Sequence, residues 1–230
     1  MKKYTTILFD ADDTLLDFGK DETQALTAIL DKYGIEKSEE NINAYQQINV
    51  SLWKALERGE IDKPTLKKIR FGLFFQKIGF STDEDHYKIN EEYLSNLSCG
   101  GNLLAGAKDL AEDLRAQGYD LYIVTNGIEK TQRCRLTRSG ILPCFSDVFV
   151  SEAIGHQKPK KEYFDYVLSH ISEKDVSKVL LVGDSLTSDI AGAVNAGISC
   201  AWLRHDVTAD CGAYKPDYII DDISQVKKLL

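Results

Sequence analysis

The sequence has no apolar run near the roughly 18 residues that a membrane-spanning helix needs. After Met1-Lys2-Lys3 the apolar stretch lasts only about six residues, too short for the core of a signal sequence. Cysteine is sparse and unpatterned. Cys99, Cys134, Cys144, Cys200 and Cys211 are odd in number and show no CxxC spacing. That excludes a disulfide framework and a cysteine-based zinc site, and it predicts free thiols in a reducing cytoplasm. The four histidines are scattered and suggest no metal cluster. Positive charge is in deficit, with 28 Lys and Arg against 36 Asp and Glu and a net charge of −8. Such a balance argues against a nucleic-acid polymer held by phosphate contacts. It leaves room for a small phosphorylated ligand, which needs only local positive charge. Internal repeats and low-complexity segments are missing too.

What is present supports a large folded core. Of 230 residues, 43% are hydrophobic, enough for one α/β domain or a core carrying an inserted module. Residues 4–9, YTTILF, read as a buried strand. From about 20 to 97 the pattern is helical. Leu26, Ile29, Leu30 and Tyr33 share one helix face, and further helices are expected over 39–57, 63–77 and 83–97, with breaks at Gly34, Gly59, Pro64 and Gly79.

Beyond 98-SCGGN-102 strands and helices alternate. Strands are expected at 119–125, 147–151, 178–183, 199–203 and 217–220. Helices are expected around Ala107–Leu114, 129–139, Phe164–Ile171, 188–196 and 223–230. This alternation implies a doubly wound parallel sheet covered on both faces. The expected architecture is an α/β core of residues 1–16 and 100–230, with an all-α module of residues 17–99 inserted after the first strand.

In an open parallel sheet, ligands bind beyond the carboxyl ends of the strands. Four polar clusters fall there: Asp10-Ala11-Asp12-Asp13-Thr14, Thr125-Asn126-Gly127, Lys158-Pro159, and Gly183-Asp184-Ser185 with Asp189 one turn on. Crowded acids need a counter-ion, and hard oxygen ligands favour Mg²⁺. Such an ion neutralises a phosphoryl group so that a carboxylate can approach it. The lysine adds positive charge, while the threonine hydroxyl and backbone N–H groups can hold equatorial oxygens.

DADDT at 10–14, TNG at 125–127, KP at 158–159 and GDSLTSD at 183–189 resemble, in order, the four motifs of the haloacid dehalogenase superfamily of phosphohydrolases. The resemblance implies a Rossmann-like core, and it makes the helical insert look like that superfamily's cap domain. A narrower resemblance comes from 45-YQQINVSLWKALERGEI-61, Arg70 in KKIRF, and 126-NGIEKTQRCRLTRSGI-141. These look like the bacterial branch that hydrolyses pyrimidine nucleoside 5′-monophosphates.

On this basis Asp10 is the expected nucleophile, forming an aspartyl-phosphate. Asp12, two residues on and on the same side of an extended chain, is expected to protonate the leaving oxygen and then deprotonate water. Asp13 is expected to be solvated or in a turn, and Thr14 to brace the loop. Thr125, Asn126 and Gly127 would hold the phosphoryl group, and Lys158 would screen Asp10 from it. The expected metal set is Asp10, Asp12 (through its backbone carbonyl, as the resemblance implies), Asp184 and, directly or through a water, Asp189, with a helix N-cap as the alternative role for either of the last two. Phe18, Tyr45, Asn49, Trp53 and Arg70 are candidates for base or sugar contacts. Gly19 and Gly100-Gly101 suit hinges.

Rival readings narrow the field. A calcium loop starting at Asp10 fails, because Leu15 stands where glycine is needed and Asp21 where glutamate is needed. A receiver-like signalling domain would carry its phospho-acceptor on a later strand and has no place for the insert. A dehalogenase has no need of the acid at Asp12. A phosphatase of sugar phosphates or phosphoglycolate stays open as the main alternative, with a phosphomutase behind it. The expectation is therefore a cytoplasmic, Mg²⁺-dependent phosphomonoesterase, monomer or homodimer, acting on nucleoside 5′-monophosphates and needing neither a membrane nor a nucleic-acid polymer.

Overall fold

A computed structural model describes residues 2–230. The chain divides into two units, Met1–Phe18 with Gly101–Leu230, and Gly19–Gly100. In the first unit six strands form one sheet: β1 (Thr6–Phe9), β2 (Asp120–Thr125), β3 (Asp147–Val150), β4 (Val179–Gly183), β5 (Ser199–Leu203) and β6 (Tyr218–Ile220). Their order is β3-β2-β1-β4-β5-β6, and every neighbouring pair is parallel. The chain walks outward from β1 to β3, then crosses back to place β4 on the other side of β1. The winding reverses between β1 and β4, which is where doubly wound sheets bind ligands.

The strands bury both faces, and the two-residue period sorts their side chains. Ile7, Phe9, Leu121, Ile123, Leu180 and Val182 pack on one side with Leu110, Ala111 and Leu114. Leu8, Tyr122, Val124, Val179 and Leu181 pack on the other with Tyr163, Phe164 and Val167. Each fully buried large apolar side chain contributes about 1.5–3 kcal/mol over exposure, so these two layers hold the sheet and the strand ends in place.

The second unit is all helical: α1 (Phe18–Lys32, whose first residue belongs to the first unit), α2 (Glu39–Glu57), α3 (Lys63–Ile78) and α4 (His86–Leu97). Side-chain caps set three of the starts. Ser38, Asp62 and Asp85 accept hydrogen bonds from the backbone N–H groups of Asn41, Thr65 and Tyr87. The Asp85 cap explains why α4 begins later than the expected residue 83. Pro64 fits the first turn of α3, and Gly79 closes it at φ 69°. Gly19 is the second residue of α1, and the boundary between the two units falls at Phe18/Gly19 and again at Gly100/Gly101. Tyr45, Phe71, Phe74 and Tyr93 form an aromatic core, with the Tyr45 ring 5.5 Å from Phe71, 5.4 Å from Phe74 and 5.4 Å from Tyr93.

Around the sheet run α5 (Ala107–Ala116), α6 (Glu129–Arg138), α7 (Ser151–Ile154), α8 (Lys161–His170) and α9 (Ala191–Ala196). Two expected helices differ in kind. The segment at 188–196 is a π-helical turn, Leu186–Ile190, running into α9, and the last helix is 3₁₀ over Ile223–Lys228. The short α7 has too few residues to show a period. All five cysteines are free. Among the described residues no helix is long and apolar enough to cross a membrane.

Candidate active site

Asp10 directly follows β1 and is still tied to the sheet, its N–H donating to the Val182 carbonyl at 2.9 Å. The chain then turns at once. Leu15 N and Leu16 N both donate to the Ala11 carbonyl, at 3.0 and 2.8 Å. That turn closes over the residues after Ala11, and Asp12 itself forms a β-bridge with Leu16. Asp13 adopts φ 54°, a left-handed conformation that aspartate tolerates better than most residues. Asp13 thus lies in a turn, one of the two places expected for it, and is half-buried. Its Oδ1 accepts from Phe18 N at 3.1 Å, and its carbonyl pairs with His205 Nε2. Burial and the neighbouring Asp12 push its carboxyl up to about 6, against the pull of His205 and the Phe18 N–H. Thr14 is buried with its hydroxyl unpartnered, so it braces nothing through that group.

Lys158 is the hub. Its Nζ donates to Asp10 Oδ1 at 2.6 Å, Asp189 Oδ1 at 2.6 Å and the Val124 carbonyl at 2.9 Å. An ammonium has three protons, and all three are used. Burial alone would lower its pKa, but Asp10 and Asp189 more than reverse that and hold it above the ordinary lysine value. The loop that carries it is gripped by Asn126. The Asn126 amide donates to the Lys158 carbonyl and accepts from Lys158 N, both at 2.9 Å. The Asn126 side chain is thus committed to Lys158, and only its backbone N–H stays available to a ligand.

Asp10, Asp184 and Asp189 each place a carboxylate oxygen within 4.8 Å of the others. Burial pushes Asp10 up to about 8, with Asp189 and Asp12 adding to the rise and Lys158 opposing it. Asp184 is held well above the carboxylate range by burial first, then by Asp10 and Asp189. Ionised together, three carboxylates against one ammonium would carry an excess of two negative charges, which one divalent cation would cancel. All the donors are oxygen, so the set fits a hard ion of the magnesium class. The Asp12 carboxylate lies outside this set and faces α6.

The fourth strand end is built to present these acids. Trp202 Nε1 donates to the Asp184 carbonyl at 2.8 Å. Ser185, not either aspartate, caps the π-helical turn, its Oγ accepting from Ser188 N at 3.2 Å. Asp189 Oδ2 accepts from Ser185 N at 3.1 Å. The N-cap alternative for Asp184 and Asp189 is thereby removed.

Thr125 Oγ1 accepts from Gly127 N at 3.1 Å and from Gln132 Nε2 at 2.9 Å. With both contacts incoming, the hydroxyl proton is left to give to a ligand. Gln132 Nε2 also donates to Asp12 Oδ2 at 2.7 Å, and Arg135 Nη1 donates to Asp12 Oδ1. No role was expected for either residue. The signal was present in α6, whose buried face is Thr131, Gln132, Arg135 and Leu136. A helix this polar that still turns a face inward marks side chains with a task other than packing.

The candidates in the helical unit fall differently. Tyr45 is 0% exposed inside the aromatic core, so it packs the unit. Trp53 packs beside Leu52, Leu56 and Leu66. Asn49 and Arg70 are buried in a polar chain. Asn49 donates to Glu22 Oε1 at 2.6 Å, and Arg70 donates to Asn49 Oδ1 and Asn90 Oδ1, each at 3.0 Å. The Arg70 guanidinium also stands over the Tyr93 ring at 4.8 Å. Glu22 and Asn90 were not singled out, because isolated polar residues on a helix read as solvated. Phe18 sets its ring against the Arg135 guanidinium, 5.5 Å away.

A family model described as haloacid dehalogenase-like hydrolase matches residues 4–197. The chain belongs to the haloacid dehalogenase-like hydrolases. Within that family it is 38% identical over 230 residues to the HAD-hydrolase YfnB of Bacillus subtilis, covering 100% of this chain and 97% of the relative. The pyrimidine 5′-nucleotidase PynA of Streptococcus pneumoniae is 39% identical over 201 residues, 87% of this chain and 84% of that one. The pyrimidine 5′-nucleotidase YjjG of Escherichia coli is 31% identical over 228 residues, 99% and 98% of the two chains. The crystal structure of YfnB bound to magnesium matches with a TM-score of 0.93 over 100% of this chain and 99% of that one. This haloacid dehalogenase-like hydrolase is a phosphohydrolase.

Proposed function

We propose that the protein is a magnesium-dependent phosphomonoesterase that hydrolyses nucleoside 5′-monophosphates, pyrimidine ones in preference. The observation that carries the chemistry is the buried Asp10–Lys158–Asp189 contact, with Asp184 beside it at the reversal of the sheet. The nucleotide preference rests on the two relatives named as pyrimidine 5′-nucleotidases.

Lys158 fixes Asp10 Oδ1, leaving Oδ2 to attack phosphorus. A bond forms from Oδ2 to phosphorus, and the ester P–O bond breaks. Asp12 delivers a proton to the departing alkoxide, then takes one from the water that attacks the aspartyl-phosphate. Inorganic phosphate leaves and the Asp10 carboxylate is restored. The Thr125 hydroxyl and the backbone N–H of Asn126 hold the phosphoryl oxygens, while the Gly127 N–H is given to Thr125 Oγ1 and sets that hydroxyl in place. Asp10, Asp184, Asp189 and the Asp12 carbonyl would hold magnesium, which when bound neutralises charge between the acids and the phosphoryl group.

The helical unit, Gly19–Gly100, is the proposed cap and the source of substrate choice, with Asn49 and Arg70 as its polar candidates. Phosphate release from UMP, dUMP, dTMP, AMP and a set of sugar phosphates tests the reading. Preference for the pyrimidine nucleotides supports it. A clear preference for sugar phosphates or phosphoglycolate rejects the nucleotide assignment and keeps the phosphatase one.

A further inference from the structure

Asp12 is braced from a single helix. Arg135 Nη1 donates to one of its carboxylate oxygens and Gln132 Nε2 to the other. The two donors lie three residues apart on α6 and so share one face of one turn. Arg135 Nη1 also donates to Gln132 Oε1 at 2.9 Å. That contact sets the amide the right way round. With its oxygen towards the guanidinium, its nitrogen faces Asp12 and Thr125. Three side chains thus close a ring on one carboxylate.

Stability alone is a poor reason for this ring. The Asp12 side chain is 30% exposed, where water would satisfy it, while the Arg135 side chain is only 1% exposed. Burying a guanidinium is costly, and pairing it with a part-exposed carboxylate returns little. The surroundings are nonetheless shaped for it. A Cβ on Gly127 would lie 2.5 Å from Gln132 Cγ, and one on Gly101 would lie 2.8 Å from the Arg135 carbonyl oxygen. The Phe18 ring adds a cation–π face to the guanidinium. The glycine of the TNG motif is therefore explained by the approach of Gln132.

We propose that Arg135 and Gln132 are positioning residues that hold the Asp12 carboxyl group in the orientation from which it protonates the leaving oxygen. The inference rests on the acid role of Asp12 in the proposed function. A carboxylate that meets one donor can swing about its last torsion; one that meets a separate fixed donor on each oxygen cannot. Each oxygen keeps a second lone pair, so the brace fixes the group without blocking proton transfer. Gln132 Nε2 reaches Thr125 Oγ1 as well, so one amide sets the spacing between the acid and the phosphoryl-binding hydroxyl.

The leaving group provides the test. p-Nitrophenolate leaves phosphorus without a proton, whereas a ribose 5′-alkoxide needs one. kcat/KM reports the first phosphoryl transfer and so isolates that difference from the later water step. It is measured with magnesium on p-nitrophenyl phosphate and on UMP, or on ribose 5-phosphate if the substrate panel selects sugar phosphates. The proteins are the wild type, Asp12→Asn, Arg135→Met and Gln132→Met. General acid catalysis is worth roughly 10²–10⁴-fold, so Arg135→Met should lower kcat/KM about 30- to 300-fold on the alkyl ester and less than about fivefold on the aryl ester. Asp12→Asn should show the same selectivity, and Gln132→Met should add a loss common to both substrates through Thr125. Uniform loss in Arg135→Met beside a selective Asp12→Asn overturns the positioning role. Uniform loss in Asp12→Asn itself overturns the acid role, and the inference falls with it. If Arg135→Met does not fold, Gln132→Met carries the same comparison.

Discussion

A Cβ on Gly183 would lie 2.4 Å from Cγ of Asp189. The last residue of β4 is glycine because a fully buried carboxylate crosses over it. Gly183→Ala should push Asp189 out of the carboxylate group. The magnesium concentration for half-maximal activity should then rise roughly 10- to 100-fold, the range seen when the support of a ligand is lost. Titration of activity with magnesium measures it; an unchanged midpoint would show that Asp189 is not a ligand.

Lys158 contacts two buried acids at once. Removing one partner of a buried pair costs about 3–5 kcal/mol, so Lys158→Met should lose that much stability when magnesium is chelated. Urea unfolding in EDTA gives the value. A loss under about 1 kcal/mol would place the ammonium in water and not between the two acids.

Asn126 grips the Lys158 backbone through two hydrogen bonds. At about 0.5–1.5 kcal/mol each, Asn126→Ala should cost about 1–3 kcal/mol. Because Lys158 would then drift from Asp10, kcat should fall more than KM rises. Steady-state kinetics beside urea unfolding checks both parts, and a pure KM effect would point instead to direct substrate contact by the amide.

Tyr45 separates packing from recognition. As a core aromatic, Tyr45→Ala should cost about 3–5 kcal/mol, while Tyr45→Phe should leave kcat/KM for UMP unchanged. A selective rise of KM in Tyr45→Phe would return this residue to the ligand site.

These cases show which parts of the molecule the sequence carries openly. Strands such as 119–125 and helices such as 39–57 have a clear period, so their place in the fold is legible. The acids, Thr125 and Lys158 are legible because strand ends in a parallel sheet share a rim. Partnerships across the chain are not. Asn126 meets Lys158 over 32 positions, and Gln132 meets Asp12 over 120. No local pattern encodes either.

A stripe on a helix is ambiguous for another reason. Tyr45, Asn49 and Trp53 recur at spacings of four, which serves a core and a ligand face equally well. Only the burial of Tyr45 among Phe71, Phe74 and Tyr93 decides its case. A turn at Asp13 was legible, but its left-handed conformation was not, because that region is open to aspartate but not demanded by it.

The central claim is that the Asp10 carboxylate attacks phosphorus. Phosphate release from UMP by wild type and Asp10→Asn, in the presence of magnesium and with matched thermal unfolding, tests it most directly. The account predicts release by the wild type and none above background by a folded Asp10→Asn. Full activity in that variant would contradict it.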